Sequence, residues 1–298
     1  MDTLVEDMLE VVKGLGGWDE TITKFLADGI SEVAGQRFSE PQAPRTKLSL
    51  SQLGSPCQRK IWYNINKPEL KSELSAESLG TFFYGDLLEV LAISIVMAAG
   101  HKVEGMQDRL DVYGIKGHRD VVIDGVTVDV KSASKFSFEK FQKHQLRGYT
   151  KYDRSGNKTW VEARDVDAFG YISQLGSYVS GGKDDPIVTE KNKGAFLVIQ
   201  KDRFKICLDT YDFTDEIKYK EQEVQQVVRM VEGPIPMRGE DEVEDGKSGN
   251  MKLGVACSYC DFRSSCWPDV RTFIYSTGPR FLTKVVRQPA EHIKEITQ

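Results

Sequence analysis

No apolar run in this sequence approaches the roughly 20 residues that a membrane span needs, so the chain is expected to stay out of membranes. The first residues, Met1-Asp2-Thr3-Leu4-Val5-Glu6-Asp7, are acidic and lack the basic n-region and apolar core of a signal peptide. Nor is there an excess of positive charge. A net charge of -5 argues against a protein coated all over with nucleic acid, while leaving room for a local basic groove. Prolines are few and no internal repeat is present. What remains is the composition of an ordinary soluble protein, 29% charged, with 298 residues to form one large domain or two small ones. A cytoplasmic location is expected, where thiols stay reduced and clustered cysteines point to metal more than to disulfides.

Two amphipathic helices are expected before residue 38, on Leu4, Met8, Val11, Val12 and on Ile22, Phe25, Leu26, Ile30, with Gly14 to Gly17 as the break. Pro41 to Arg45 reads as a linker. A serine-capped short helix follows in Leu50 to Tyr63, with Cys57 near its start. Gly80 to Gly100 carries the longest helical signal. Its stripe of Leu87, Leu88, Leu91, Ile95 and Val96 includes Glu89, which is either at the solvent edge or an acidic metal ligand, since buried carboxylates need a partner. His101 to Tyr113 is expected as a sheet strand, Asp167 to Ser180 as a helix, and Ala195 to Gln200 with Phe204 to Leu208 as a strand pair. Thr214 to Val231 reads as a polar helix and Glu240 to Asp245 as an exposed acidic loop.

The chemistry centres on Gly117-His118-Arg119-Asp120 and Asp129-Val130-Lys131. Asp124-Gly125 between apolar runs is a strong hairpin signal, joining Val121–Ile123 to Val126–Lys131. Asp129 and Lys131, two apart on a strand, leave the same face, and Asp120 can reach it. Such a set suits Mg²⁺ or Mn²⁺ with a lysine to orient water, although Asp-x-Lys alone also fits a solvated ion pair. Lys135 to Lys158 is the most basic window. Lys135, Lys140, Lys143, Arg147, Lys151, Arg154 and Lys158 are interleaved with Phe136, Phe138, Phe141, Tyr149, Tyr152 and, just beyond, Trp160, a mixture that suits single-stranded DNA. The same stretch also fits a solvated loop. Gln174 and Tyr178 lie one helical turn apart and as bare residues suit ordinary packing.

Cys257, Cys260 and Cys266 form a C-x2-C-x5-C run, with Cys57 two hundred residues upstream. Four thiolates could hold zinc or a [4Fe–4S] cluster, and the spacing alone does not choose. Cys207, in an apolar strand, reads as a small core residue. Arg280, Lys284, Arg287 and Lys294 in the tail from Thr277 suit a DNA-contacting or docking segment.

In their order and spacing, these motifs resemble the PD-(D/E)XK nuclease superfamily, in its RecB-like branch with an iron–sulfur cluster. That branch includes CRISPR-adaptation nucleases, the AddB nuclease domain and phage exonucleases. The resemblance covers roughly residues 48 to 270. It implies an α/β fold, a restriction-endonuclease-like mixed central sheet flanked by helices, with the N-terminal helical region tied to a C-terminal metal cluster. The expected division is 1–46 as a helical extension, 47–270 as the nuclease domain and 271–298 as a tail. By resemblance, Glu89, Asp120, Asp129 and the Val130 carbonyl bind one or two Mg²⁺ or Mn²⁺ ions, and Lys131 is the catalytic lysine. Gln174 and Tyr178 order the site, with Tyr178, Lys135, Lys140, Lys143 and Arg147 touching DNA, and Cys57, Cys257, Cys260 and Cys266 hold the cluster. The sequence departs from the pattern at Leu88, where many members carry a histidine ligand; His118 is read as structural or DNA-side. The implied function is a DNA nuclease, an exonuclease before a structure-specific endonuclease, acting on single strands or DNA ends. The resemblance suggests a recombination or replication complex of phage or mobile-element origin, in a host cytoplasm if so. A catalytically impaired DNA-binding or scaffold subunit is the alternative.

Overall fold

A computed structural model describes residues 1–39, 46–153, 155–239 and 242–296; the linker expected at Pro41 to Arg45 lies outside them, as does Arg154. The described residues fall into two compact units that interleave along the chain. One draws on Met1–Ala43, Leu48–Gly54 and Ser75–Gln226, the other on Pro44–Lys47, Ser55–Leu74 and Val227–Gln298. These divisions do not follow the sequence boundaries at 46/47 and 270/271.

In the first unit, alternation along the strand Val126–Ala133 decides the architecture. Val126, Val128 and Val130 face one core, with Ala92, Ile95 and Val96 of the helix Ala76–Ala98 and Leu4 and Met8 of the helix Leu4–Val12. On the other side Ala133, with Phe196 and Val198 of the next strand, packs with Phe138, Phe141, Leu175 and Val179 from the helices Lys135–Gln142 and Tyr171–Gly182. The sheet runs in the order Val103–Glu104, Val121–Ile123, Val126–Ala133, Lys193–Gln200, Ile206–Asp212. Its central pair, with Asp129 opposite Phe196 and Lys131 opposite Val198, is parallel and every other pairing is antiparallel. It is a mixed α/β fold with helices on both faces.

The hairpin turn adopts positive φ at both central residues, 49° at Asp124 and 79° at Gly125, the combination that matches strand twist in a two-residue loop. Asp124 also accepts from the Lys102 peptide N–H at 3.0 Å. Gly125 leaves no room for a side chain, because a Cβ there would stand 2.0 Å from Thr189 Oγ1.

Several expectations need correction. His101 to Tyr113 is not one strand: positive φ at Gly105 and Gln107 turns the chain after Glu104, and Arg109–Val112 pairs with Ile115–His118 in a separate ribbon. The helix expected from Asp167 starts at Tyr171, because Gly170 is left-handed (φ 77°) and the Asp167 carboxylate caps the N–H groups of Tyr171 and Ile172 at 2.8 and 2.9 Å. Phe204, at φ 50°, belongs to the turn before Ile206–Asp212. The helix Ala76–Ala98 is long and apolar enough to cross a membrane by length and composition, contrary to expectation, yet its apolar residues supply one of the two cores.

The second unit is built on a five-stranded antiparallel sheet, in the order Glu242–Glu244, Met251–Leu253, Gly278–Lys284, Arg271–Tyr275, Lys294–Ile296. Over its described part the acidic stretch is exposed as expected at Glu242–Glu244, but these form a strand rather than a loop. Asp245 is buried because Lys252 (3.1 Å) and Arg280 (2.9 Å) neutralise it. Residues expected as a basic tail supply three strands, and Arg280 serves that internal pair.

Gly125→Ala should lower stability by about 2 kcal/mol or more, since the left-handed backbone alone costs a residue with a Cβ about 1–2 kcal/mol. Chemical denaturation would measure it; an unchanged midpoint would mean that the turn relaxes.

Candidate active site

Asp129 is wholly buried in the middle of its strand, and Lys131, half-buried, brings its ammonium 2.7 Å from Asp129 Oδ2. The approach is outside hydrogen-bond geometry, and neither carboxylate oxygen has a hydrogen-bond partner. A buried carboxylate with orphaned oxygens is costly unless a cation faces it. Asp120 comes from just before Val121–Ile123. The antiparallel ladder has ended at the Val121–Val128 pair, so the Val130 N–H is free on that side and donates to Asp120 Oδ2 at 2.9 Å. Glu89, on the helix Ala76–Ala98, accepts from Gln107 Nε2 at 3.0 Å.

Electrostatics tie these groups into one cluster. Burial, then the Asp129 charge, pushes the Glu89 carboxyl up to about 7. Burial, then the charges of Asp129 and Glu89, holds Asp120 well above the usual carboxylate range. For Lys131, burial works against the charge, but Asp129 and Asp120 outweigh it and keep the ammonium above the ordinary lysine range. Tyr178 is buried and accepts from Gln174 Nε2 at 2.7 Å; burial, then Asp129, raises its phenol.

The chain matches no family model and no curated protein. Among solved structures it is similar to SSO0001, at 16% identity over 82% of this chain and 96% of that one, with a TM-score of 0.39. It is also similar to an alkaline exonuclease, LHK-Exo from Laribacter hongkongensis, at 13% identity over 68% of this chain and 92% of that one, with a TM-score of 0.36. At scores this low neither likeness bears on what this chain does.

Among the described residues no three His, Cys, Asp or Glu side chains are drawn together into a ready metal-binding group. The donor chemistry nevertheless fits a hard divalent cation: two buried oxygens without a hydrogen bond, one of them ion-paired to Lys131, and two neighbouring carboxyls that burial, then repulsion, has raised. Tyr171 belongs to this site and sequence reasoning missed it. Its ring lies 5.2 Å from Lys131 Nζ, and its spacing of three and seven residues from Gln174 and Tyr178 was the available signal. Gln107, in a turn between two short strands, carried none.

Leu88 is buried, and His118 ends an exposed ribbon strand opposite Arg109. Of the basic residues, Lys140 donates to the Val166 carbonyl at 2.7 Å, Lys143 pairs with Glu139, and Arg147 pairs with Glu216 against the rings of Tyr211 and Phe213. Lys135 is exposed. Phe138 and Phe141 are core residues, whereas Phe136, Tyr152 and Trp160 are exposed.

In the second unit Cys57, Cys257, Cys260 and Cys266 line one cavity. Cys57 occupies the position just before the helix Gln58–Asn66, and Cys266 ends the short helix Arg263–Cys266. Burial raises the thiols of Cys260 and Cys266, while Lys60 acts on the first and Arg59 and Arg238 on the second in the opposite sense. Three buried donors lining the same cavity, Arg59 Nε, Arg263 Nε and Trp267 Nε1, have no partner. Thiols ringed by cations and spare N–H donors fit an anionic thiolate-ligated group. Cys207 is buried apart from them in a strand, and burial pushes its thiol up to about 12.

Without divalent ions, the melting temperature should fall as pH rises from 4.5, the ordinary Glu value, to about 7, because the folded protein holds a proton on Glu89 that the unfolded chain has released. Mn²⁺ should remove that decline. Calorimetry in EDTA and in Mn²⁺ would measure both, and an equal decline in Glu89→Gln would rule out this origin.

Proposed function

We propose that the chain is a Mg²⁺- or Mn²⁺-dependent deoxyribonuclease of the PD-(D/E)XK kind. The observation that carries this reading is the buried Asp129, both oxygens unbonded, facing a charged Lys131 and two further carboxyls in their protonation-prone range. Asp129, Asp120 and Glu89 would hold the ion, with the Val130 carbonyl on the side of the strand where its N–H already meets Asp120. A divalent ion there supplies polarisation of the scissile phosphate and acidification of the attacking water. Lys131, kept protonated, orients that water and stabilises the charge gathering on the phosphate, while Tyr171 under its ammonium limits its freedom and Gln174 and Tyr178, hydrogen-bonded to each other, order the site. The exposed Tyr152 and Trp160, with Lys151 and Lys158 on the same ribbon, suit stacking and phosphate contact with a single strand or an unpaired end, which favours an exonuclease.

In the second unit we propose a [4Fe–4S] cluster on Cys57, Cys257, Cys260 and Cys266, supported by their common cavity and its unpaired donors. Anaerobically purified protein should be brown, and Cys260→Ser should lose the colour. A colourless protein with stoichiometric zinc would replace the cluster by a structural zinc site.

Cleavage of end-labelled linear and closed circular DNA, with Mg²⁺, Mn²⁺ or EDTA, tests the activity. Lys131→Ala should lose at least about 10²-fold in rate with its melting transition intact. Loss of linear DNA alone makes an exonuclease; cutting of the circle makes an endonuclease. The second reading, an impaired DNA-binding subunit, is favoured by Leu88 in place of a histidine ligand. DNA binding without cleavage in either metal would establish it.

A further inference from the structure

Beside the carboxylates sits an arginine with no part in this chemistry. Arg119 is wholly buried. Its Nη2 lies 2.6 Å from Asp108 Oδ2 and 2.6 Å from Asp185 Oδ2, its Nε donates to the Gly105 carbonyl at 3.2 Å, and its peptide N–H donates to the Asp108 carbonyl at 3.2 Å. Gly105 and Asp108 bracket a turn, closed by the Asp108 N–H donating to the Gly105 carbonyl at 3.3 Å. The turn is wrapped directly on the guanidinium. Gly105 has φ 57°, and a Cβ there would come within 2.4 Å of Arg119 Nη2. On the other side, a Cβ at Gly182 would come within 3.1 Å of Nη1. The space is cut to the shape of an arginine.

That turn presents Gln107. Its backbone takes φ 53°, a conformation side chains seldom adopt unless their surroundings impose it. Held there, its peptide N–H donates to the Asp120 carbonyl at 3.0 Å and its side-chain Nε2 donates to Glu89 Oε1 at 3.0 Å. One residue thus ties the carboxylate on the helix Ala76–Ala98 to the backbone of the carboxylate that precedes the hairpin. Glu89 sits on a helix that shares no hydrogen-bonded ladder with the strand carrying Asp129. Something must fix its distance from the other ligands.

We infer that Gln107 is a positioning residue, presented by the Arg119 clamp, that sets the Glu89 carboxylate for divalent-ion binding. The inference rests on the reading of Glu89 as a metal ligand. Partners of ligating carboxylates of this kind typically account for about 10–100-fold in metal affinity.

The test is Mn²⁺ binding to the full chain without DNA, by calorimetry or by loss of the free-ion electron spin resonance signal. Gln107→Met keeps a long unbranched side chain and removes the amide, and with it the donor to Glu89. Its Mn²⁺ affinity should fall about tenfold at an unchanged melting temperature, and the Mn²⁺ concentration for half-maximal cleavage should rise by the same factor. On a Glu89→Gln background the same substitution should cost nothing more, since the two act as one unit. Arg119→Met should weaken Mn²⁺ as Gln107→Met does and also lower the melting temperature; where it fails to fold, the Gln107 series decides. Unchanged affinity in Gln107→Met, or a full additional loss on the Glu89→Gln background, would overturn the inference alone. No Mn²⁺ binding by the wild type would overturn the metal reading and this inference with it.

Discussion

Burying Asp129 is the constraint from which the rest of the first unit follows. A carboxylate in the centre of a sheet, with no hydrogen bond to either oxygen, is destabilising by several kcal/mol unless its charge is offset. The chain supplies one ammonium, from Lys131, and places two more carboxyls within reach of the same charge. Three carboxyls against one ammonium leave two charges without compensation. Burial and the mutual repulsion of the carboxyls raise both Glu89 and Asp120 above the usual carboxylate range, which is the cost of keeping an acidic site assembled without an added cation. A pocket selected for stability alone would have replaced these groups with apolar ones.

The strand meets this demand through its two faces. Val126, Val128 and Val130 are locked into an apolar core, and the parallel partner pairs with every residue from Thr127 to Ala133. A register slip by one residue would exchange the valines for Thr127, Asp129 and Lys131 and bury three polar groups in the core. The apolar face therefore fixes the register of the polar one. The second unit solves the mirror-image problem. There the groups are thiols, two of which burial holds above the ordinary range, and the unpaired donors of Arg59, Arg263 and Trp267 line the cavity instead of further acids.

Much of this was legible because it depends on local rules. Asp124-Gly125 demanded a turn with two positive φ angles, and alternation placed Asp129 and Lys131 on one face, where their charged groups stand 2.7 Å apart. What sequence reasoning missed depends on tertiary partners. Nothing near Gly105 in the sequence announces that Arg119 will occupy the space of its missing side chain, so the break in His101 to Tyr113 could not be read. Asp245 looked like one more solvated acid because its partners, Lys252 and Arg280, become neighbours only when the second sheet forms. Asp167 was taken for a helical residue although Asp is a favoured helix cap, and Gly170, three residues on, was the warning. The apolar length of Ala76–Ala98 was underestimated, although its three acids, Glu77, Asp86 and Glu89, all precede Val90 and leave the last nine residues of the helix without charge.

The two roles of Lys131 follow from the same shortage of cations. With only protein charges present, its ammonium serves Asp129, at 2.7 Å, and is held over the ring of Tyr171. On the proposed reading, Asp129 would be compensated by the divalent ion it helps to hold, and Lys131 would be available to the water and phosphate. The ring of Tyr171 then matters more, because it is a partner for the ammonium that no ion displaces. A lysine replaced by arginine would keep the charge, yet the planar, wider guanidinium could not reproduce a point charge between one carboxylate and one ring face. Charge alone is therefore not what this position requires; it requires a compact cation with a fixed second contact.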